Sequence, residues 1–307
     1  MKKILIAVPI LLVAAMAYVF FFMPLVMITY ARDAERGAAG LVEKSIQVGT
    51  HNISYLEGGE GETLLLLHGF AADKDNWVRF SKYLKSYRII ALDLPGWGES
   101  DYVEGETYGV ANQVARLQEI TKALGLKKYH VAGNSMGGWI AGALAHAAPE
   151  QVLSLGLFDA AGVTTPKKSE FLLALEKGEN LLLTNSPEDF DRILDFVFVT
   201  PPEIPGSVKA YLAEKGTLRR SLNEKIGQEL GTNLVALEPL LPDLQMPAFI
   251  IWGDTDRIID ISAIDVMKPL LKDPTVIVLE ATGHAPMIEK PELSANHYAA
   301  FLHTISR

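Results

Sequence analysis

The sequence has no cysteine among its 307 residues, which excludes disulfides, thiolate metal sites and a thiol nucleophile together. It has no basic stripe either. Lys and Arg number 28 against 37 Asp and Glu, a formal net charge of −9, and a chain of that sign repels a phosphate backbone, so no nucleic-acid partner is expected. No His-Glu-x-x-His, P-loop or Gly-x-Gly-x-x-Gly spacing occurs. With no such address for a metal, nucleotide or dinucleotide, neither cofactor nor metal is expected. Charge itself is missing from one stretch, residues 4–28, ILIAVPILLVAAMAYVFFFMPLVMI.

Read as a helix, that run is about 37 Å long, enough to cross a hydrocarbon core of about 30 Å. A secretory signal has an apolar region of only about 7–15 residues and a small-x-small cleavage site behind it. Here the run is longer and no convincing site follows. Residues 1–30 are therefore expected to form a retained membrane anchor, with cleavage and secretion as the alternative. Pro9 and Pro24 are tolerable in a membrane helix. Lys2 and Lys3 on the short side keep the N-terminus in the cytoplasm and put the body outside it, in the periplasm if the source is bacterial. Residues 31–44, which include ARDAERGAAG, read as a polar linker.

Apolar residues make up 49% of the chain, enough for a sizeable core, and from residue 45 they recur in an alternating order. SIQVGTHNISYLEGG suggests two strands around a turn near Gly49. TLLLLHG and YRIIALDLPG are continuous apolar runs, as expected of strands buried on both faces. Val110, Val114, Leu117, Ile120 and Leu124 fall at helical spacing, closed by Gly125. YHVAGNS is a further strand and MGGWIAGALAHAAP the helix leaving it. VLSLGLFDAAG, AFIIWGD and TVIVLEATG supply three more strands, and residues 292–305 a closing helix. Strand alternating with helix predicts an α/β fold, a mostly parallel sheet covered on both faces. Its two parts are residues 45–162 and 247–307. Between them, after the sixth strand, residues 163–246 show helical patterns and no clear strand. One of these opens on Ser186-Pro187-Glu188-Asp189, a capping signal with proline at the first helical position. That segment reads as a helical cap over the carboxyl edge of the sheet, where ligands bind in open α/β sheets. Its apolar stretches FLLALE, LLLTN and ILDFVFV either line a pocket or pack the cap on itself.

In VAGNSMGGWIAG, Ser135 stands between Gly133 and Gly137 where a strand turns into a helix. The spacing G-x-S-x-G suits a sharp turn that leaves the serine exposed at its tip, the setting of a nucleophile elbow. A serine hydroxyl is a poor nucleophile until a base takes its proton, so a histidine and an acid must follow. Of the seven histidines, His130 lies in a strand, His146, His297 and His303 on helices, and His51 in an early turn. His284, on the glycine-bearing loop after the last strand, emerges at the same edge as Ser135 and is the expected base. Two N–H groups must face the developing oxyanion. Met136, after the nucleophile, and Phe70, on the loop after the third strand, can give them. His68 is expected to hold that loop, and Asp93 to form a turn. For the acid, Asp254 and Asp256 follow AFIIWG and Asp159 follows LSLGLF.

HGFAADKDNW, DLPGWGESD, GNSMGG, LFDAAG and ATGHAPMIEKP, in that order, resemble the α/β-hydrolase superfamily from about residue 45 to the C-terminus. Together they resemble bacterial family V lipases and the membrane-anchored monoacylglycerol lipases of animals. GNSMGG and PGWGESD also resemble hydrolases that cleave C–C bonds in ring-fission products. The resemblance favours Asp256 as the acid, since Gly253-x-x-Asp256 matches the usual spacing. It implies a serine carboxylic-ester hydrolase acting on acylglycerols or similar lipid esters, with a lipid-ester substrate and the membrane, through the N-terminal helix, as partners. A C–C hydrolase, and a binding or scaffold protein without activity, are the alternatives. Acyl length and oligomeric state stay open.

Overall fold

The computed structural model describes residues 18, 23–232 and 234–305. Short apolar runs form its sheet: β1 (Leu41–Val48), β2 (His51–Gly58), β3 (Thr63–Leu67), β4 (Arg88–Leu92), β5 (Tyr129–Asn134), β6 (Val152–Phe158), β7 (Ala248–Gly253) and β8 (Thr275–Leu279). β3, β5 and β7 are buried along their whole length, as central parallel strands covered on both faces must be. Among the described residues the strand order is β1-β2-β4-β3-β5-β6-β7-β8. β2 runs antiparallel to β1 and β4, and the remaining pairs are parallel. This is the mostly parallel α/β sheet that the alternation predicts.

Because neighbouring side chains on a strand point to opposite faces, the core divides in two. Leu65, Leu67, Val131, Leu157 and Ile250 pack on one side with helices α3 (Val110–Ala123) and α4 (Met136–Ala147). Leu64, Leu66, Ala132, Phe158 and Ile251 pack on the other with the closing helix α11 (Pro291–Ile305). Between β6 and β7 the described residues form helices α5 (Glu170–Leu175), α6 (Pro187–Val197), α7 (Gly206–Leu218) and α8 (Arg220–Thr232) and no strand. α6 opens on the expected capping box, in which Asp189 Oδ2 accepts from the Ser186 N–H at 3.2 Å.

The segment 31–44 is not an irregular linker. Helix α1 (Pro24–Ala39) runs through it to Gly40, which closes it at φ 72°, and β1 begins at Leu41. The charges that suggest a solvated linker are spaced at i, i+3 and i+4, so a helix presents them on one face. They bind the core. Arg36 is 4% exposed and reaches both carboxylate oxygens of Asp75 at 2.6 Å and Glu43 at 2.6 Å. Glu35 pairs with Arg79 at 2.8 Å and Arg32 with Glu99 at 3.2 Å. Most of the uncharged run 4–28 lies outside the described residues, and among those described no helix is long and apolar enough to cross a membrane.

Candidate active site

β5 ends at Asn134 and α4 begins at Met136, so Ser135 alone makes the turn. Its backbone sits at φ 56°, ψ −119°, a region that costs a side-chain-bearing residue about 1–3 kcal/mol. The surroundings hold it there. Its N–H donates to Phe158 O at 3.0 Å, and its carbonyl accepts from the Trp139 N–H at 3.1 Å and the Ala161 N–H at 3.0 Å. The flanking glycines are needed for close approach. A Cβ on Gly133 would meet the Gly137 carbonyl, and one on Gly137 the carbonyls of Leu67 and His68 at the end of β3.

The loops after β7 and β8 bring an acid to a histidine. Asp256 Oδ1 accepts from the N–H groups of Ile258 at 2.8 Å and Ile259 at 3.1 Å, which aims Oδ2 at His284 Nδ1, 2.8 Å away. Both residues are buried, at 9% and 6% exposure. The His284 N–H donates to Val197 O at 2.8 Å, and its carbonyl accepts from Asn134 Nδ2 at 2.9 Å. With Nδ1 bound to a carboxylate, the network assigns the proton to Nδ1 and leaves Nε2 as the nitrogen able to accept one. His284 and Ser135 line one cavity of about 400 Å³, together with Gly69 and Phe70.

Among the described residues, neither the Phe70 nor the Met136 N–H donates to another protein group. For Met136 this is the ordinary condition of a first helical turn. The loop carrying Phe70 is held by His68, whose Nδ1 donates to Gly69 O at 2.7 Å while Nε2 accepts from the Leu94 N–H at 3.0 Å. Both nitrogens are thereby used in the neutral form, which burial favours by depressing the pKa. His68 therefore anchors the loop, as the sequence suggests. His130 and His51 bond instead to Ser154 Oγ at 2.8 Å and Tyr108 Oη at 3.2 Å.

The rival carboxyls take other positions. Asp254 Oδ1 accepts from the Thr282 N–H at 3.2 Å, joining the β7 loop to the histidine loop. Asp159, fully buried at φ 45°, accepts the Gly253 N–H on Oδ1 at 2.9 Å. It lies beside the acid–histidine pair, one ligating atom of each of Asp159, Asp256 and His284 being within 4.8 Å of the others. Burial first, then the Asp256 charge, push its carboxyl well above the usual carboxylate range, against the Gly253 hydrogen bond. Burial thus favours the protonated form of Asp159.

Several site residues escape a sequence reading. Asn134 ties the Ser135 turn to His284. Glu289 gathers three N–H groups: Val199 at 3.1 Å, Thr200 at 2.7 Å and Gly283 at 2.8 Å. Asp93 does more than form a turn. It is fully buried and pairs with Lys74 Nζ at 2.7 Å, which also reaches Glu99 at 2.7 Å and Glu43 at 3.2 Å. Burial opposes the Lys74 charge, and the Asp93 and Glu99 carboxylates outweigh it and hold the ammonium above its ordinary range. Of the apolar stretches, Leu182, Ile193, Leu194, Val197 and Phe198 line the cavity. Leu172, Leu173 and Leu175 of α5 point to solvent at 37–44% exposure.

The alpha/beta hydrolase fold model matches residues 62–291. Lipase 1 of Psychrobacter immobilis is 37% identical over 272 residues, 87% of this chain and 86% of that one. Monoacylglycerol lipase abhd6-A of Xenopus laevis is 30% identical over 96% of this chain and 93% of its own. A crystal structure described as a membrane phospholipase A, a bacterial virulence factor, superposes with a TM-score of 0.92 at 47% identity over the whole of both chains. Likeness of that extent covers the sheet, the serine turn and the acid–histidine loops alike, and the chain belongs to the α/β hydrolase fold family.

Proposed function

We propose that this chain is a serine carboxylic-ester hydrolase acting on acylglycerols or related lipid esters. The observation that carries the proposal is the buried 2.8 Å contact between His284 Nδ1 and Asp256 Oδ2, behind a cavity that His284 shares with the strained Ser135. The lipase and phospholipase relatives support the substrate class. His284 Nε2 takes the Ser135 hydroxyl proton as Oγ attacks the ester carbonyl, and the Phe70 and Met136 N–H groups receive the negative charge on oxygen. Collapse of the tetrahedral intermediate breaks the ester C–O bond, and the proton on His284 goes to the departing alkoxide. Water then attacks the acyl-enzyme, giving its proton to His284 and, on collapse, returning Ser135 as the free hydroxyl. Asp256 fixes the imidazole tautomer and stabilises the imidazolium in both halves. Residues 163–246 act as a helical cap whose Leu182, Ile193 and Val197 offer an acyl chain an apolar wall.

Residues 1–30 are proposed to anchor the enzyme, with the catalytic domain outside the cytoplasm. The length of the uncharged run and Lys2 and Lys3 support this, as does the membrane phospholipase similarity. A substrate panel tests the activity: p-nitrophenyl esters, a chain-length series of mono- and triacylglycerols, and a vinylogous diketone. Turnover of the esters and none of the diketone is expected. Turnover of the diketone alone would make the chain a C–C hydrolase, and turnover of neither would leave a binding protein.

A further inference from the structure

One short strap joins the cap to the loop that carries His284. Helix α6 ends at Val197, and Phe198 after it is extended, at φ −115° and ψ 149°. Pro201, Pro202 and Pro205 follow. Each fixes its own φ and pushes the residue before it toward extended backbone, so the strap is stiff along its length. Val197, Phe198, Pro202 and Ile204 line the Ser135 cavity.

The backbone of the same strap is bonded to the histidine loop. Val197 O accepts the His284 N–H at 2.8 Å. Approach is so close there that a Cβ on Gly283 would meet the Val197 carbonyl. Glu289 completes the joint. Its Oε1 accepts the N–H groups of Val199 at 3.1 Å and Thr200 at 2.7 Å, and its Oε2 accepts the Gly283 N–H at 2.8 Å. One oxygen therefore holds the strap and the other holds the residue beside His284. Glu289 is itself fixed. It ends the short helix Pro286–Glu289, its N–H donates to Ala285 O at 3.0 Å, and Met287 of that helix is fully buried.

The strap has little packing of its own to place it, Val199 being 42% exposed. Its position against His284 is then set by these hydrogen bonds, which a carboxylate acceptor strengthens. An acyl chain lying against Pro202 and Ile204 orders the strap, and the Val197 and Glu289 bonds carry that order to the base. Misplacing a reacting group by about 1 Å costs about 10² in rate. Contact made far from the ester can in this way be spent at the ester.

We propose that Glu289 is a positioning residue that couples occupation of the strap side of the cavity to the placement of His284, so that acyl length is felt in kcat as well as in binding. The inference rests on the ester-hydrolase reading and adds to it a selectivity for longer acyl chains.

The test measures kcat and KM on p-nitrophenyl acetate and p-nitrophenyl octanoate for the full chain, Glu289→Gln, Ile204→Ala and the double variant. Glutamine keeps the shape, but its NH2 cannot accept an N–H, so one side of the clamp opens. The full chain should turn over octanoate with the higher kcat. In Glu289→Gln the octanoate-to-acetate ratio of kcat should fall about tenfold, the size of one hydrogen bond to a charged group, with the octanoate KM nearly unchanged. Ile204→Ala should lower the same ratio, and adding it to Glu289→Gln should lower it no further, because the two act along one path. An unchanged ratio in Glu289→Gln, a change in KM alone, or additive losses would make Glu289 a merely structural residue and overturn the proposal. If Glu289→Gln does not fold, Ile204→Ala still decides, since a loss confined to KM overturns the coupling. Amide hydrogen exchange needs no turnover. Glu289→Gln should speed exchange in segments 197–200 and 282–285 together, and unchanged exchange in either would also overturn the clamp. If the full chain hydrolyses neither ester, the ester-hydrolase reading fails, and the exchange result still tests the clamp.

Discussion

Two carboxyls lie beside His284, and exchanging each for its amide separates their roles. In Asp256→Asn the shape is kept and the charge is lost. The partners are 2.8 Å apart and buried. With the charge centres about 4 Å apart and an effective dielectric constant near 20, an imidazolium–carboxylate pair is worth about 4 kcal/mol. At about 1.4 kcal/mol per decade, that is about 10³ in rate. The asparagine NH2 also faces Nδ1 and favours the tautomer with its proton on Nε2, where it cannot serve as a base. The expected loss in kcat is therefore about 10³–10⁴. Asp159→Asn replaces a carboxyl whose protonated form burial favours and which makes no hydrogen bond to His284, so kcat should fall by less than about tenfold. Asp254→Asn, which loosens one bond to the Thr282 N–H, should behave like Asp159→Asn. The assay is steady-state hydrolysis of a p-nitrophenyl ester at neutral pH by all three variants. A crippled Asp159→Asn beside a nearly intact Asp256→Asn would refute the assignment and move the acid to the loop after β6.

Asp159 also carries a stability prediction. Folded, it holds its proton above the usual carboxylate range, whereas unfolded it ionises normally, so the folded state binds more protons as pH rises between the two values. Its burial therefore weakens the protein progressively with rising pH. Asp159→Asn should raise Tm more at pH 7 than at pH 4, and an equal shift at both would contradict the raised carboxyl. Lys74→Ala leaves Asp93 buried without its cation, and thermal unfolding should show a loss of about 3–5 kcal/mol. A change below 1 kcal/mol would mean that the Asp93 charge is compensated elsewhere. For the anchor, carbonate extraction should leave the full-length chain in the membrane pellet with its N-terminus intact, whereas a soluble product starting near residue 30 would show cleavage.

The parts of the molecule set by local chemistry could be read from residue order. The serine between glycines, the apolar strand runs and the capping box at Ser186 all depend on neighbours a few positions apart. The cavity wall was legible only in part, because FLLALE and ILDFVFV look alike as apolar strings. Their faces are decided by where α5 and α6 rest, so Leu172 and Leu173 meet solvent and Ile193 and Val197 meet the cavity. The choice between Asp256 and Asp159 was open for a similar reason. Both follow strands that end at one edge, and the sheet order β6-β7-β8 places both beside His284. Least legible was the charge network. Arg36, Glu43, Lys74, Asp75, Asp93 and Glu99 are scattered over more than sixty positions, and only the folded chain joins α1 to the core through them. Taken as a string, ARDAERGAAG has the composition of a linker. Its helical face becomes visible only with Asp75 and Glu99 opposite it.

The central claim is that Ser135 is the nucleophile, and a fluorophosphonate reports on it directly by forming a covalent bond only with a serine activated in this way. The purified chain should take up one label, mapped by peptide mass spectrometry to the segment carrying Ser135. Ser135→Ala should lose both the label and about 10⁶ in kcat while keeping its thermal unfolding transition. A label mapped to another serine, or a Ser135→Ala enzyme that keeps its turnover, would contradict the claim.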